Sequence, residues 1–132
     1  MENRHTLLPY FTVGTHAVEA HQPVSTALEV MQEHDLRHLP VLQDGVVVGE
    51  ISDRDLRVWQ LQKEFKFETA ISHIMVEAPY IVDPGAPLAE VANEMAARKI
   101  GCAIVVSAGR LSGMFTVTDA LRALARLASE SS

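Results

Sequence analysis

The sequence predicts an α/β fold built from two copies of a β-α-β-β-α unit, and three observations support this prediction. The chain has 132 residues, of which 48% are hydrophobic, so it can fill the core of one compact domain or of two very small ones. A shift of 64 residues, which places Pro23 on Pro87, aligns the chain with itself without gaps from about residue 16 to the early 120s. In both copies, helical apolar spacing alternates with short strand-like runs.

The self-alignment matches mainly turn residues and periodic apolar positions. A chance alignment of two ordinary α/β segments would place its matches without this preference, so a duplicated unit is the better interpretation. Identical pairs include Pro23/Pro87, Met31/Met95, Val41/Val105, Gly45/Gly109, Gly49/Gly113 and Asp55/Asp119.

Each unit begins with a short extended run, at residues 16–19 in the first copy and 80–83 in the second. Pro23 and Pro87 follow at places where a helix can begin, because proline is tolerated in the first helical turn. Apolar residues then recur at the spacing of one buried helical stripe, which stabilises a helix on a sheet. The stripe consists of Val24, Ala27, Leu28 and Met31 in the first copy and of Leu88, Val91 and Met95 in the second.

Two strands and a second helix complete each unit. Residues 39–42 and 102–106 are continuous apolar runs, which are typical of strands that are covered on both faces. The turns Asp44-Gly45 and Ala108-Gly109 lead into the return strands at 46–51 and 110–115. The second helices then run through about Gln62 and Leu127.

The predicted order gives two three-stranded mixed sheets flanked by helices and related by pseudo-twofold symmetry. The first repeat covers 10–63, a linker with a short helix near 68–75 covers 64–78, and the second repeat covers 79–128. Together the repeats form one module.

Composition limits the classes of function. A net charge of −6 argues against nucleic-acid binding, which needs a basic surface. Cys102 is the single cysteine, so no intramolecular disulfide can form, which fits a reducing compartment. Residues 1–9 lack the apolar region of a signal peptide, and the apolar runs are too short to span a bilayer. These features predict a cytoplasmic protein without a membrane segment.

A polar motif occurs at the start of each second helix. Glycine, two residues, a hydroxyl, two residues and aspartate occur in 49–55 and again in 113–119. Ser52 and Thr116 are expected to cap helix N-termini, where unpaired N–H groups and the positive dipole end favour a phosphate. The aspartates one turn later can accept hydrogen bonds from a ribose diol. Gly49 and Gly113 allow a ligand to approach the backbone closely.

This doubled motif resembles the nucleotide motif of CBS (cystathionine-β-synthase) domains. The run Leu39-Pro40-Val41 before an Asp-Gly turn is similar to that family, as is Ile74-Met75 before the second copy, whereas the first copy has Tyr10-Phe11 there. The resemblance covers about residues 13–127. It implies a tandem pair, or Bateman module, that binds AMP, ADP, ATP, NAD or S-adenosylmethionine in a cleft between the repeats. No cofactor is obligatory, and a homodimer and an unidentified regulated protein are the expected partners.

The resemblance also implies which residues bind the ligand, with the adenine against strand residues of the opposite repeat. Ser52 and Asp55 are expected to work with the 100–104 region, and Thr116 and Asp119 with the 36–40 region. Arg54 is expected to contact phosphate, whereas the second motif has Thr118 at that place. The complete predicted set is Gly49, Ser52, Arg54, Asp55, Gly113, Thr116, Thr118, Asp119, Arg37, His38, Leu39, Pro40, Gly101, Cys102, Ala103 and Ile104.

Other interpretations stay open at this point. The hydroxyls and aspartates could be simple helix caps, and the module could be a dimerisation scaffold without a ligand. His34 and His38 are four residues apart, but a break between helix and strand is expected to separate them, so we predict no metal site. The sequence shows neither a nucleophile–base pair nor a Walker-type loop, so we do not predict an enzyme.

Overall fold

The computed structural model describes residues 5–130, which form two compact units. The first-repeat unit contains residues 16–79. The second-repeat unit combines the N-terminal segment, up to Thr15, with residues from Tyr80 onward. Each unit is an α/β structure with a small mixed sheet and two α-helices, as the sequence predicts.

The first-repeat unit has a three-stranded sheet in the order β2-β3-β4. Strands β2 and β3 are parallel, whereas β3 and β4 form an antiparallel hairpin. The elements are β2 (Val18–Glu19), α1 (Val24–His34), β3 (His38–Gln43), β4 (Val46–Ser52), α2 (Asp53–Gln60) and a 3-10 helix (Ile71–His73).

The helical stripe of the first repeat is buried as predicted. Val24, Ala27 and Met31 of α1 pack with Leu56 of α2 and with the sheet residues Leu39, Val41 and Ile51 in one core. Ile71 of the 3-10 helix is fully buried in the same core. The segment predicted as a linker therefore contributes to the core of the first-repeat unit.

The second-repeat unit repeats this topology and adds one strand. Its sheet has the order β1-β7-β6-β5, with β5 parallel to β6 and the other neighbours antiparallel. The prediction of three strands was wrong here, because the N-terminal segment supplies β1. The elements are β1 (Thr12–Val13), β5 (Ile81–Val82), α3 (Leu88–Arg98), β6 (Cys102–Ser107), β7 (Arg110–Thr116) and α4 (Val117–Glu130).

The duplication extends upstream of the predicted repeats, into two segments that we call the lead-in segments, residues 5–13 and 69–76. Leu7 donates its N–H to the Ala86 carbonyl at 3.0 Å, and Ile71, 64 residues later, donates to the Gln22 carbonyl at 2.8 Å. Both side chains are fully buried. The segment 5–13 precedes the first repeat in the sequence but packs in the second-repeat unit. The segment 69–76 precedes the second repeat but packs in the first-repeat unit.

The ends of the second helices differ slightly from the prediction. Helix α2 ends at Gln60 rather than Gln62, whereas α4 continues to Glu130. None of the helices in residues 5–130 combines the length and the apolar content that crossing a membrane requires.

Candidate functional site

The first motif is a complete capping box at the N-terminus of α2. The Asp55 N–H donates to Ser52 Oγ at 3.1 Å, and the Ser52 N–H donates to Asp55 Oδ2 at 3.2 Å. These two bonds satisfy donors that a helix terminus otherwise leaves unpaired. The prediction that Ser52 caps the helix is confirmed. Because this box uses only one oxygen of Asp55, the other is not consumed by the cap.

The second motif has the same reciprocal bonds and two more. The Asp119 N–H donates to Thr116 Oγ1 at 3.2 Å, and the Thr116 N–H donates to Asp119 Oδ2 at 2.9 Å. The Thr116 hydroxyl also donates to Oδ2 at 3.1 Å, and the Thr12 hydroxyl donates to Oδ1 at 3.0 Å. Asp119 is buried, with 5% of its surface exposed. Its carboxylate is therefore more completely bonded than that of Asp55.

Both glycines of the motifs are covered by lead-in segments. A Cβ on Gly49 would lie 2.5 Å from Met75 Sδ and 2.9 Å from the Val76 carbonyl oxygen. A Cβ on Gly113 would collide with the Thr12 carbonyl oxygen and lie 2.9 Å from the Phe11 ring. The structure therefore gives each glycine a packing role within its own unit, and a ligand contact at Gly49 and Gly113 stays a prediction.

The basic residues near the first motif differ in their partners. Asp53 accepts from Arg57 Nη2 at 2.6 Å and from Arg37 Nη1 at 3.5 Å. Arg54 is exposed, and its side chain makes no ion pair or hydrogen bond within the described part of the chain. Arg54 is thus the guanidinium of this group that is available for an anionic ligand. Its counterpart Thr118 is exposed as well.

His38 is partnered within its own sheet. Its Nδ1 lies 2.9 Å from Glu50 Oε1, across the β3–β4 hairpin. His34 lies instead at the end of α1, where its ring stacks on His16 with 3.6 Å between centroids. The predicted separation of His34 from His38 by a break between helix and strand is confirmed.

The strand residues predicted to hold the base divide between the two faces of each sheet. Leu39 belongs to the core of the first-repeat unit and Ala103 to the core of the second. Side chains alternate along a strand, so Pro40, Cys102 and Ile104 point away from these cores. All five are buried, whereas Gly101 is half-buried in the connection before β6.

Tyr80, just before β5, is a titratable group whose pKa is shifted from its ordinary value. Burial raises the pKa of the Tyr80 phenol, and the carboxylates of Glu94 and Glu90 raise it further. The Arg98 guanidinium, 5.0 Å from the ring centroid, opposes this shift in part. The phenol therefore stays neutral throughout the physiological range.

Sequence reasoning missed Thr12, Asp53 and Glu50 as neighbours of the predicted residues. Thr12 lies 107 positions before Asp119, and no local spacing relates the two. One signal was present in the sequence. Thr12 stands 64 residues before Val76, and the two residues directly follow the matching pairs Tyr10-Phe11 and Ile74-Met75.

The two units share one topology, and each carries a hydroxyl and an acid at the N-terminus of its last α-helix. This combination defines a tandem-repeat α/β protein with two equivalent polar motifs. Comparisons with known proteins identify its family. The family model of the CBS domain matches the chain twice, over residues 14–61 and 71–126. The chain therefore belongs to the CBS domain family and carries two CBS domains in tandem.

Similar proteins agree with this assignment. The chain is 30% identical over 113 residues to Hypoxic response protein 1 of Mycobacterium tuberculosis, which covers 84% of this chain and 79% of that protein. A putative acetoin utilization protein (AcuB) from Vibrio cholerae has a TM-score of 0.85 at 29% identity, with 97% of both chains covered. CBSX2, solved in complex with AMP, has a TM-score of 0.83 at 24% identity, with 92% of this chain and 97% of that chain covered.

Proposed function

We propose that this CBS pair is a regulatory sensor that binds an adenosine-type ligand at its helix N-terminal motifs. The observation that carries the proposal is the Ser52–Asp55 capping box, in which one carboxylate oxygen and the nearby Arg54 guanidinium have no partner among residues 5–130. A free carboxylate oxygen suits a ribose hydroxyl, and a guanidinium suits a phosphate.

The chemistry of the motif favours a ligand with both a ribose and an anionic group. The Asp53 and Asp55 N–H groups are bonded to the Arg37 carbonyl and to Ser52 Oγ, so the N-terminus of α2 contributes its positive dipole end. The chain as a whole has a net charge of −6, so a phosphate must be held by such local groups rather than by a general positive field. By resemblance to the family, the strand residues 101–104 and 37–40 are proposed to contact the base.

The candidate ligands are AMP, ADP, ATP, NAD and S-adenosylmethionine. Solved CBS domain pairs of the same fold hold AMP, ATP, or 5′-methylthioadenosine with S-adenosyl-L-methionine. At 21–24% identity these structures support the fold's capacity for adenine compounds. No obligatory cofactor and no catalytic activity are proposed.

Regulation requires that the ligand bind two states of the protein unequally. We propose that the module acts in the cytoplasm as a homodimer and passes the ligand signal to a partner protein. The alternative is a dimerisation scaffold that acts without any ligand. The two proposals make different predictions for the same measurement.

A thermal-shift panel tests the proposed function. A ligand present at 100 times its dissociation constant adds about 2.7 kcal/mol to the free energy of unfolding, so the melting temperature rises clearly. We expect a rise with at least one of the five adenine compounds and none with guanosine monophosphate. No rise with any adenine compound would leave the scaffold as the function.

Replacing Arg54 by Ala is expected to weaken binding of a phosphate-bearing ligand. A hydrogen bond to a charged group contributes about 1.5–3 kcal/mol, so the dissociation constant for AMP or ATP should rise at least about tenfold. Arg57→Ala is the matched control, since Arg57 is three residues away on α2 and pairs with Asp53. Isothermal titration calorimetry measures both. Equal affinity of the Arg54→Ala protein and the parent would exclude the phosphate contact.

The proposed dimer is expected to use the exposed face of α4. Val117, Leu121 and Leu124 expose 49%, 60% and 64% of their surfaces at helical spacing, and a groove of about 250 Å³ beside Leu124 is lined mainly by Ala and Leu residues of α3 and α4. The positions of the first-repeat unit that are equivalent to Ala123, Leu124 and Leu127 carry Trp59, Gln60 and Lys63, so the same face is more polar there. An apolar patch of this kind is typical of a surface that another protein covers.

A charge on this face tests the dimer. Leu121→Lys should convert the dimer to a monomer, because a buried unpaired charge at an interface is costly. Leu61→Lys, at an 85% exposed leucine just after α2, is the control and should leave the assembly unchanged. Size-exclusion chromatography with light scattering gives the mass. If the Leu121→Lys protein keeps the parent's dimeric mass, α4 is not the interface.

A further inference from the structure

The carboxylate of Asp119 has little acceptor capacity left. A carboxylate offers about four lone-pair positions on its two oxygens. Oδ2 of Asp119 accepts the N–H and the hydroxyl of Thr116, and Oδ1 accepts the hydroxyl of Thr12. These bonds occupy three of the four positions, and the side chain is buried. A ribose diol needs two acceptor positions, so Asp119 cannot take it in this arrangement.

The carboxylate of Asp55 is in the opposite condition. Its Oδ2 accepts the Ser52 N–H at 3.2 Å, and its Oδ1 meets no donor from any residue between 5 and 130. The side chain is half-buried rather than buried. Three of its four acceptor positions are therefore open, which is sufficient for both hydroxyls of a ribose.

The difference arises from one residue of the lead-in segments. Thr12 lies opposite Met114 in the β1–β7 pair, and Val76 lies opposite Glu50 in the corresponding bridge. Positions 12 and 76 are equivalent in the two repeats, as are 50 and 114, because each pair is 64 residues apart. Thr12 and Val76 therefore occupy the same register. Threonine has a hydroxyl to donate to the motif aspartate, whereas valine has none.

We propose that Thr12 is a specificity-determining residue that closes the second motif to ribose, so that the chain binds one nucleotide, through Asp55. This inference rests on the proposed nucleotide binding and assigns it to one of two equivalent motifs. The lead-in segment thereby sets how many ligands the pair holds. Replacing the hydroxyl of Thr12 by a methyl group should open the second motif, because it frees Oδ1 of Asp119.

Isothermal titration calorimetry with AMP, or with the adenine compound that gives the largest thermal shift, tests this assignment. The parent should bind one ligand per chain and the Thr12→Val protein two, whereas Thr12→Ser, which keeps the hydroxyl, should bind one. In an Asp55→Asn background, which loses the first motif, adding Thr12→Val should restore one ligand per chain. A second variant, Thr12→Ala, also removes the hydroxyl and should likewise bind two ligands per chain.

The outcomes separate this inference from the proposed function. Two ligands on the parent, or one ligand on both the parent and a folded Thr12→Val protein, would overturn the role of Thr12 and leave nucleotide binding in place. If the Thr12→Val protein does not fold, a folded Thr12→Ala protein that binds one ligand would overturn that role. Absence of binding in the parent and in every variant would overturn both.

Discussion

Replacing Asp55 by Asn is expected to reduce the affinity for the nucleotide about a hundredfold. The change removes the carboxylate that is proposed to accept both ribose hydroxyls, and two hydrogen bonds to a charged group are together worth about 3 kcal/mol or more. The amide oxygen of Asn can still accept the Ser52 N–H, which is 3.2 Å from Asp55 Oδ2, so the helix cap is retained. Isothermal titration calorimetry measures the affinity, and circular dichroism checks the fold.

Asp53→Asn is the matched control for this change. It removes one negative charge from the same helical turn, but Asp53 is engaged with Arg37 and Arg57 rather than with the motif hydroxyl. Its loss should alter nucleotide affinity by less than about threefold, since exposed ion pairs and screened charges contribute little. Equal effects of the two substitutions would mean that Asp55 acts through general charge and does not contact the ribose.

Replacing Gly113 by Ala is expected to destabilise the protein by about 3 kcal/mol. The added Cβ collides with the backbone carbonyl oxygen of Thr12, which cannot move by a change of rotamer, and it presses on the Phe11 ring. Overpacking of this kind costs about 1–3 kcal/mol, and here strand β1 must also move away from β7. Chemical denaturation followed by circular dichroism measures the free energy of unfolding.

Two other glycines provide comparisons. Gly85→Ala, in the same unit, places its Cβ 3.0 Å from the Asp83 Oδ2 that accepts the Gly85 N–H; because Asp83 is exposed and can shift slightly, this change should cost little. Gly49→Ala should have an intermediate effect, because its nearest obstacle, Met75 Sδ at 2.5 Å, can rotate away. A Gly113→Ala protein as stable as the Gly85→Ala protein would show that the lead-in segment does not pack closely on β7.

Much of the fold follows from local patterns in the sequence. The stripe of Val24, Ala27 and Met31 predicts α1, and the hydroxyl of Ser52 marks the start of α2. Each signal comes from residues that are only a few positions apart. The duplication then supplies the second unit from the first. The start of α2 was predicted correctly for the same reason. Its end was placed two residues too far, because the N–H groups of Leu61 and Gln62 bond to carbonyls three residues back, as in a turn, rather than four.

The packing of each lead-in segment in the unit of the other repeat could not be predicted in this way. Strand β1 has two residues, too few for an alternating pattern, and its pairing with β7 joins residues about 100 positions apart. The sequence predicted that Gly49 and Gly113 let a ligand approach the backbone closely, but not that Met75 and Phe11 pack against them. The bond from Thr12 to Asp119 depends on that long-range pairing, so the inequality of the two motifs became visible only in three dimensions.

Native mass spectrometry of the purified protein tests the central claim most directly. After equilibration with each of AMP, ADP, ATP, NAD and S-adenosylmethionine, we expect at least one of them to add one ligand mass per chain, and the Asp55→Asn protein to lose this addition. A protein that retains its bare mass with all five compounds would contradict the account.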